Sequence, residues 1–327
     1  MNKPTFFVSY SWLDNYFADR ICDDLKILGF NVIRDTDVIE YSESIPGFMK
    51  RIRKEDYVLL LVSERYIKSL NCMKEMVELK KDDYRWDVLF PIVINNSDLF
   101  NDNRLKYLEY WENRIRQKDE RLRGTDPCNS ACEWLEFQSE KTITQNLSDF
   151  LIELKNRLLC SPEELWSKKY KIIIERTGIS SNYNVFQTKK LSNVEIEDII
   201  KGHKNFLNES MGEPADLSRC NLVHKVLVGK DIDLSGINFK YSILASAHLV
   251  GAELVGCNLM GADLRGANLE YANLCDADLR GANLTGIKYD GIKIRKADFS
   301  YAIMDAPFKN FVLEHGGKIS EIGFNAS

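Results

Sequence analysis

The chain of 327 residues has no apolar run approaching the roughly 20 residues that a membrane-spanning helix needs. It has only 4 histidines, and they lie far apart. Its 8 cysteines show no paired spacing. Cys128 and Cys132 form one close pair, but no second pair or histidine cluster completes a metal site. Scattered thiols of this kind fit a reducing compartment better than a disulfide scaffold. Met1 to Thr5 carries no apolar signal-peptide core, so a cytoplasmic chain is expected. The formal net charge of -5 gives no general argument for nucleic-acid or anionic-membrane binding. What remains is an ordinary soluble composition, 44% hydrophobic and 28% charged, at a length that suggests two or three domains.

The first half is organised around Tyr57 to Glu75, YVLLLVSERYIKSLNCMKE. Tyr57 to Val62 is an apolar run too short for a helix, which reads as a strand buried on both faces of a parallel sheet. Ser63 stops it and can cap a helix. Glu75 then falls just beyond the carboxyl end of a central strand, the edge where open α/β sheets bind ligands. Upstream, Phe6 to Ser11 is a short strand. Asp14 can cap a helix carrying Phe17, Ile21, Leu25 and Leu28, and Gly29 ends that helix. Asn31 to Ile33 is a second strand, and Arg34 to Ser44 is a loop holding Asp35, Asp37, Glu40 and Glu43. Ile45, Phe48, Met49 and Ile52 line one face of the next helix. Asp87 to Val93 is a further strand, and Pro91 places it near an edge or a strand end. The β-α alternation argues for a parallel sheet with right-handed crossovers. Charged helices follow at Leu105 to Arg123 and at Ile143 to Leu158. Ser161-Pro162-Glu163 opens another that runs towards Gly178.

After a polar linker at Ile179 to Gln187, Ser192-Asn193-Val194-Glu195 has capping-box spacing and opens a helix. The period then changes to five. Leu234, Phe239, Leu244, Leu249, Leu254 and each fifth residue as far as Met304 are bulky and apolar. Two positions before each, from Leu249 on, stands a small or apolar residue such as Ala252, Cys257 or Ala262. One position before is often Asn or Asp. Leu217, Leu222 and Leu227 are an earlier flight, offset by a two-residue insertion near Lys230. Five matches neither 3.5 nor 3.6, so the repeat is not helical. Eighteen such steps are present, and their resemblance to the pentapeptide-repeat family, whose solenoids carry four steps per coil, implies four to five coils. Open solenoid ends need covers. The helix at Ser192 is the candidate at one end, and Pro307 to Leu313, with Phe308, Phe311 and Leu313, at the other.

These motifs carry two resemblances. FVSYS, DYVLLLVSERYIKS, NCMKE and LFPIV, in this order, resemble a bacterial Toll/interleukin-1 receptor (TIR) domain, strongly over roughly the first 95 residues. The five-residue repeat resembles the pentapeptide-repeat family. The implied fold is a flavodoxin-like α/β TIR domain, a parallel sheet with flanking helices, at 1–160. A helical connector and N-cap follow at 161–212, then an all-β right-handed quadrilateral β-solenoid at 213–305, and a C-terminal cap and tail at 306–327.

The TIR resemblance implies a site. Among 49 acidic residues, Glu75 matches the catalytic glutamate of TIR domains that cleave NAD+; Glu78, one turn on, lies outside the Cys-x-x-Glu spacing. Cleaving the nicotinamide–ribose bond creates an oxocarbenium-like centre, which a carboxylate stabilises. Nicotinamide leaves readily, so neither a general acid, a cofactor nor a metal is required; NAD+ is the substrate. Tyr10, Ser11 and Trp12 after the first strand, Arg34 and Asn71 are the candidate substrate contacts. Trp12 can equally pack in the core, and Arg34 can equally pair with Asp35 or Asp37. Asn71 stands where many TIR NAD+ hydrolases place Trp, and Asn cannot stack on a ligand.

The implied activity is NAD+ hydrolysis or cyclisation, switched on by head-to-tail self-association through the loop after the second strand, in anti-phage defence. The solenoid would assemble or sense. The alternatives are a non-enzymatic adaptor acting through TIR–TIR contacts and a TIR domain that makes a cyclic-nucleotide signal. DNA mimicry by the solenoid is not expected. Ten acids against seven bases between Asp231 and Asp305 do not make a strongly one-signed surface.

Overall fold

The structure is a computed structural model describing residues 3–34, 56–81, 87–94, 105–123, 130–157, 160–179, 186, 188–209, 213–228 and 232–320. The expected acidic loop beyond Arg34, the helix of Ile45 to Ile52, Cys128, Leu158 and most of the polar linker lie outside these residues. The chain divides into two compact units, Met1–Val185 and Phe186–Ser327.

In the first unit, strands β1 (Thr5–Tyr10), β2 (Asn31–Arg34), β3 (Tyr57–Val62) and β4 (Leu89–Val93) form one sheet in the order β2-β1-β3-β4. All three pairings are parallel, with Val8 opposite both Arg34 and Leu59. β3 sits inside the sheet, and every residue after Tyr57 is buried, as an apolar run covered on both faces requires. Pro91 lies on edge strand β4. The Ile94 N–H donates to Val62, and the Val93 N–H points the other way, to the Cys160 carbonyl. By alternation the nitrogen of Pro91 also faces outward, where its missing N–H costs no ladder bond.

Among the described residues, this unit also holds helices α1 (Asn15–Ile27), α2 (Glu64–Lys68), α3 (Leu70–Lys80), α4 (Leu105–Leu122), α5 (Ala131–Lys155), α6 (Pro162–Ser167) and α7 (Lys171–Thr177). Phe7, Leu60 and Val62 share a core with Met73, Met76, Trp111, Phe150 and others from α3, α4 and α5. The Trp111 indole N–H donates to the Ile67 carbonyl at 2.9 Å. Around Phe6, the rings of Phe30 and Phe90 lie 4.9 and 5.4 Å away.

Ser161 caps α6 as the sequence implies, accepting from the Glu164 N–H at 3.1 Å. The helix does not run on to Gly178. It breaks at Lys169 and Tyr170, both in left-handed conformation (φ 49° and 60°). The Tyr170 N–H closes back on the Leu165 carbonyl, and its buried phenol donates to Asp24 at 2.7 Å. Burial of that ring and its bond to Asp24 offset left-handed strain in residues with a Cβ.

In the second unit, parallel bridges join residues 20 apart from Asp233↔Glu253 to Asp298↔Lys318. Four five-residue steps therefore close each coil. Before the insertion the spacing is 22, as in Asp216↔Asn238 and Val226↔His248. Within a step the chain turns through a bond such as Cys257 N–H to Leu254 O. The third residue of the turn has positive φ, as at Gly256 (63°), which is type II geometry. The Asn or Asp before each Leu accepts from the backbone N–H two residues on, as Asn258 does from Met260 at 3.2 Å. That explains the residue preference at this position. Leu244 to Leu284 and Ala247 to Ala282 fill the interior.

Helix α8 (Asn193–Glu209) places Ile196 and Ile200 against this core, and Ser192 and Glu195 form the expected reciprocal capping box. At the other end α9 (Ala306–Glu314) buries Phe308 and Val312 against it. Phe311 packs against the same cluster, but Leu313 is 59% exposed and is not part of the cover.

Candidate functional site

The site is built from the carboxyl ends of β1 and β3. Ser63, directly after β3, accepts from the Tyr66 N–H at 3.0 Å and starts α2. Ser69 ends α2 and its side chain accepts from the Cys72 N–H, starting α3. Two consecutive serine caps thus fold SERYIKSLNC into a corner. The Cys72 thiol donates to the Tyr10 carbonyl at 3.4 Å and fastens α3 to the end of β1. Glu75 lies three residues on, the same side of α3.

Glu75 is 5% exposed as a residue, and the Ser9 hydroxyl donates to its carboxylate Oε2. The Tyr66 hydroxyl stands 3.0 Å from Ser9 Oγ. Ser9 has one proton and gives it to Glu75, so Tyr66 must donate to Ser9. The result is a relay, Tyr66 to Ser9 to Glu75. Burial, the neighbouring Cys72 and the charge of Glu75 hold the Tyr66 phenol well above its ordinary range, so it stays a proton donor. Glu78, also buried, is bound to Lys81.

A second buried acid lies at the same sheet edge. Asp14 was expected to cap α1, but its side chain makes no cap bond. Its Oδ2 instead accepts from the Ser63 hydroxyl at 2.5 Å, and Arg65 Nη1 lies 3.4 Å from Oδ1. Desolvation raises its proton affinity above the ordinary aspartate value, against the opposing pull of Ser63 and Arg65.

The remaining predicted residues are spread more widely. Tyr10 and Ser11 are buried, and their carbonyls accept from the Cys72 thiol and the Asp14 N–H. Trp12 is 62% exposed, so it does not pack in the core. Arg34 binds Asp19 of α1 at 2.6 Å, a partner the sequence did not suggest. Asn71 is exposed on the first turn of α3. Thus the fold brings Tyr10 and Glu75 together through Cys72 and Ser9, while Arg34 is engaged elsewhere. Sequence reasoning missed Ser9, Tyr66 and Asp14 as members of the cluster. The available signal was Ser9 itself, a hydroxyl among FFV in a buried strand, which demands a partner.

Among the described residues no group of three or more His, Cys, Asp or Glu could hold a metal ion, and no helix is long and apolar enough to cross a membrane.

The family model for the TIR domain matches residues 6–124, and that for pentapeptide repeats matches 232–270 and 257–288. No curated protein matches the chain. Among solved structures, a pentapeptide repeat protein from the cyanobacterium Cyanothece 51142 is 34% identical, over 30% of this chain and 69% of that one, with a TM-score of 0.23. One from the Arabidopsis thaliana thylakoid lumen is 27% identical, over 34% and 79%, with a TM-score of 0.24. One from Nostoc PCC 7120 is 29% identical, over 41% and 99%, with a TM-score of 0.22. The solenoid itself is established by its own 20-residue ladder. The chain is therefore a TIR-domain protein that also belongs among the pentapeptide-repeat proteins.

Proposed function

We propose that this protein cleaves the nicotinamide–ribose bond of NAD+, with Glu75 as the catalytic carboxylate. The observation that carries the reading is the placement of Glu75: a buried carboxylate at the carboxyl end of β1, oriented by the Ser9 hydroxyl. As nicotinamide departs, positive charge develops on the ribose. A carboxylate held rigidly in a low-dielectric site stabilises that charge without reorganising. Ser9 and Tyr66 are positioning residues in this scheme, fixing the carboxylate through one oxygen. Water attack on the ribose gives ADP-ribose; internal attack by the adenine gives a cyclic isomer.

Glu75 is almost fully covered in the single chain. That fits a catalytic group uncovered when copies associate, with TIR domains contacting one another and the solenoid bringing them together. The biological setting that follows from the TIR resemblance is anti-phage defence by NAD+ depletion.

The test is nicotinamide release by purified protein over a range of protein concentrations, for wild type, Glu75→Gln and Glu75→Ala. Turnover that rises with assembly and disappears in both variants supports the enzyme. Undiminished turnover in Glu75→Gln overturns it.

One observation favours a second reading. The Tyr66–Ser9–Glu75 relay satisfies the acid internally, as a structural tie between α3 and β1 would. Under that reading the chain is a non-enzymatic scaffold, and no turnover occurs in any assembled form.

A further inference from the structure

One face of the solenoid changes sign along its axis. Outward positions 20 residues apart stack into columns, and one column reads Asp233, Glu253, Asn273, Lys293. Beside it, Cys275 stacks below Arg295, and the Lys296 N–H bond to Gly316 places His315 at the next level. Near the C-terminal end these columns border a groove of about 500 Å³, lined by Asn273, Cys275, Lys293, Arg295 and His315. Its volume lies inside the range of about 300–1,000 Å³ typical of small-ligand sites.

The groove concentrates unbalanced positive charge. Ile292 and Ile294 are buried, while Lys293, in the bridged segment, and Arg295, the second residue of the turn closed by the Ala297 N–H bond to Ile294 O, are both exposed. Elsewhere on the solenoid the cations Arg265, Arg280 and Lys318 each pair with an aspartate at 2.7 Å. Lys293 and Arg295, like Lys288 and Lys296, form no ion pair with any described residue. The His315 ring stacks on Phe311 at 3.9 Å, and its Nδ1 donates to the Phe311 carbonyl at 2.8 Å, which fixes the ring and leaves Nε2 at its far end. The lower rim is polar but committed: the Asn273 amide donates to Glu253 at 2.8 Å.

We propose that this groove binds a small ligand carrying a diphosphate, of the nucleoside-diphosphate class. Lys293, in the bridged segment, and Arg295, in the turn that follows it, both line the groove, so two cations border a space that one diphosphate can share. Lys supplies a point charge and Arg a bidentate fork for the phosphate oxygens. A long polyanion is disfavoured. Lying along the column it meets Glu253 and Asp233, and residues 231–305 carry ten acids against seven bases.

Calorimetric titration of the full-length Glu75→Gln protein with inorganic pyrophosphate, ADP and a short DNA duplex tests this, keeping it separate from any turnover of NAD+. Expected is one saturable site for pyrophosphate or ADP. It should weaken tenfold or more in Lys293→Ala/Arg295→Ala and stay unchanged in Arg265→Ala, with the thermal midpoint of each variant as the check on folding. Absence of saturable binding by either phosphate probe, binding unaltered in the double variant, or binding of the duplex alone would each overturn the proposal.

Discussion

The Ser9 hydroxyl donates to the Glu75 carboxylate across 66 positions of the chain. This bond joins a strand interior to the helix that follows a different strand. It gives the carboxylate proposed to act on NAD+ a fixed orientation. Both groups are buried, so the bond cannot be exchanged for water without cost.

Replacing Glu75 by Gln keeps an oxygen that accepts from Ser9 and removes the charge. Nicotinamide release is expected to fall about 100-fold or more, the scale of losing a principal electrostatic stabiliser. The thermal midpoint should move little. Ser9→Ala, in contrast, leaves a buried carboxylate short of a donor, and its stability in urea should drop by about 1–3 kcal/mol. If Glu75→Gln unfolds while Ser9→Ala does not, the carboxylate is structural.

Asp14 offers a pH test. Its folded-state affinity for a proton lies above the ordinary value of 3.8, chiefly through burial. The fold therefore favours the neutral acid, and this contribution is fullest below 3.8 and declines as pH rises through the folded value. Asp14→Asn keeps an acceptor for Ser63 and abolishes the ionisation. Its thermal midpoint minus that of wild type should climb from pH 3.8 upward and then level off. A difference that shrinks over that range would mean that Ser63 and Arg65 outweigh desolvation.

Much of this architecture was legible because it is written in local periodicity. The apolar run of β3 and the five-step stair each repeat a backbone geometry, so neighbouring residues carry the signal. Even the register shift from 22 to 20 residues per coil showed as two extra residues near Lys230. The breaks in the reading fall where distant partners decide. Tyr170 turns left-handed with its phenol held by Asp24, 146 positions away. Asp14 abandons its capping role for a hydroxyl 49 positions on. Arg34 finds Asp19 on the neighbouring helix rather than an acid of its own loop. The sequence placed Glu75 at the rim; it did not reveal the serine and tyrosine that hold it.

His203, buried on α8, receives the Ala215 N–H at Nδ1 (3.2 Å) and meets the Ser235 carbonyl at Nε2 (2.9 Å). Only the neutral Nε2–H tautomer satisfies both. His203→Phe keeps most of the ring volume and orphans both backbone groups. The expected loss is about 1–3 kcal/mol per group left without a partner. Urea unfolding followed by far-ultraviolet dichroism measures it, and a loss below half a kilocalorie (~0.5 kcal/mol, the ordinary surface range) would show the contacts to be dispensable.

The C-terminal cover gives the sharpest contrast between neighbours. Phe308 is fully buried, with Tyr289 at 4.7 Å and Phe299 at 5.8 Å between ring centres, while Leu313 faces outward on the same helix. Phe308→Ala should cost about 3–5 kcal/mol, the transfer loss plus the cavity left over the last coil. Leu313→Ser should stay within about 0.5 kcal/mol. Gly317 reports on the same junction, since an added Cβ would stand 2.5 Å from Val312 Cγ1. Gly317→Ala should therefore destabilise the cover although it adds one methyl. Removing the cover also exposes the final coil as a strand edge, so Phe308→Ala is expected to raise the apparent mass in light scattering as open ends pair. A monodisperse Phe308→Ala protein with wild-type stability would mean that α9 rests on the solenoid without sealing it.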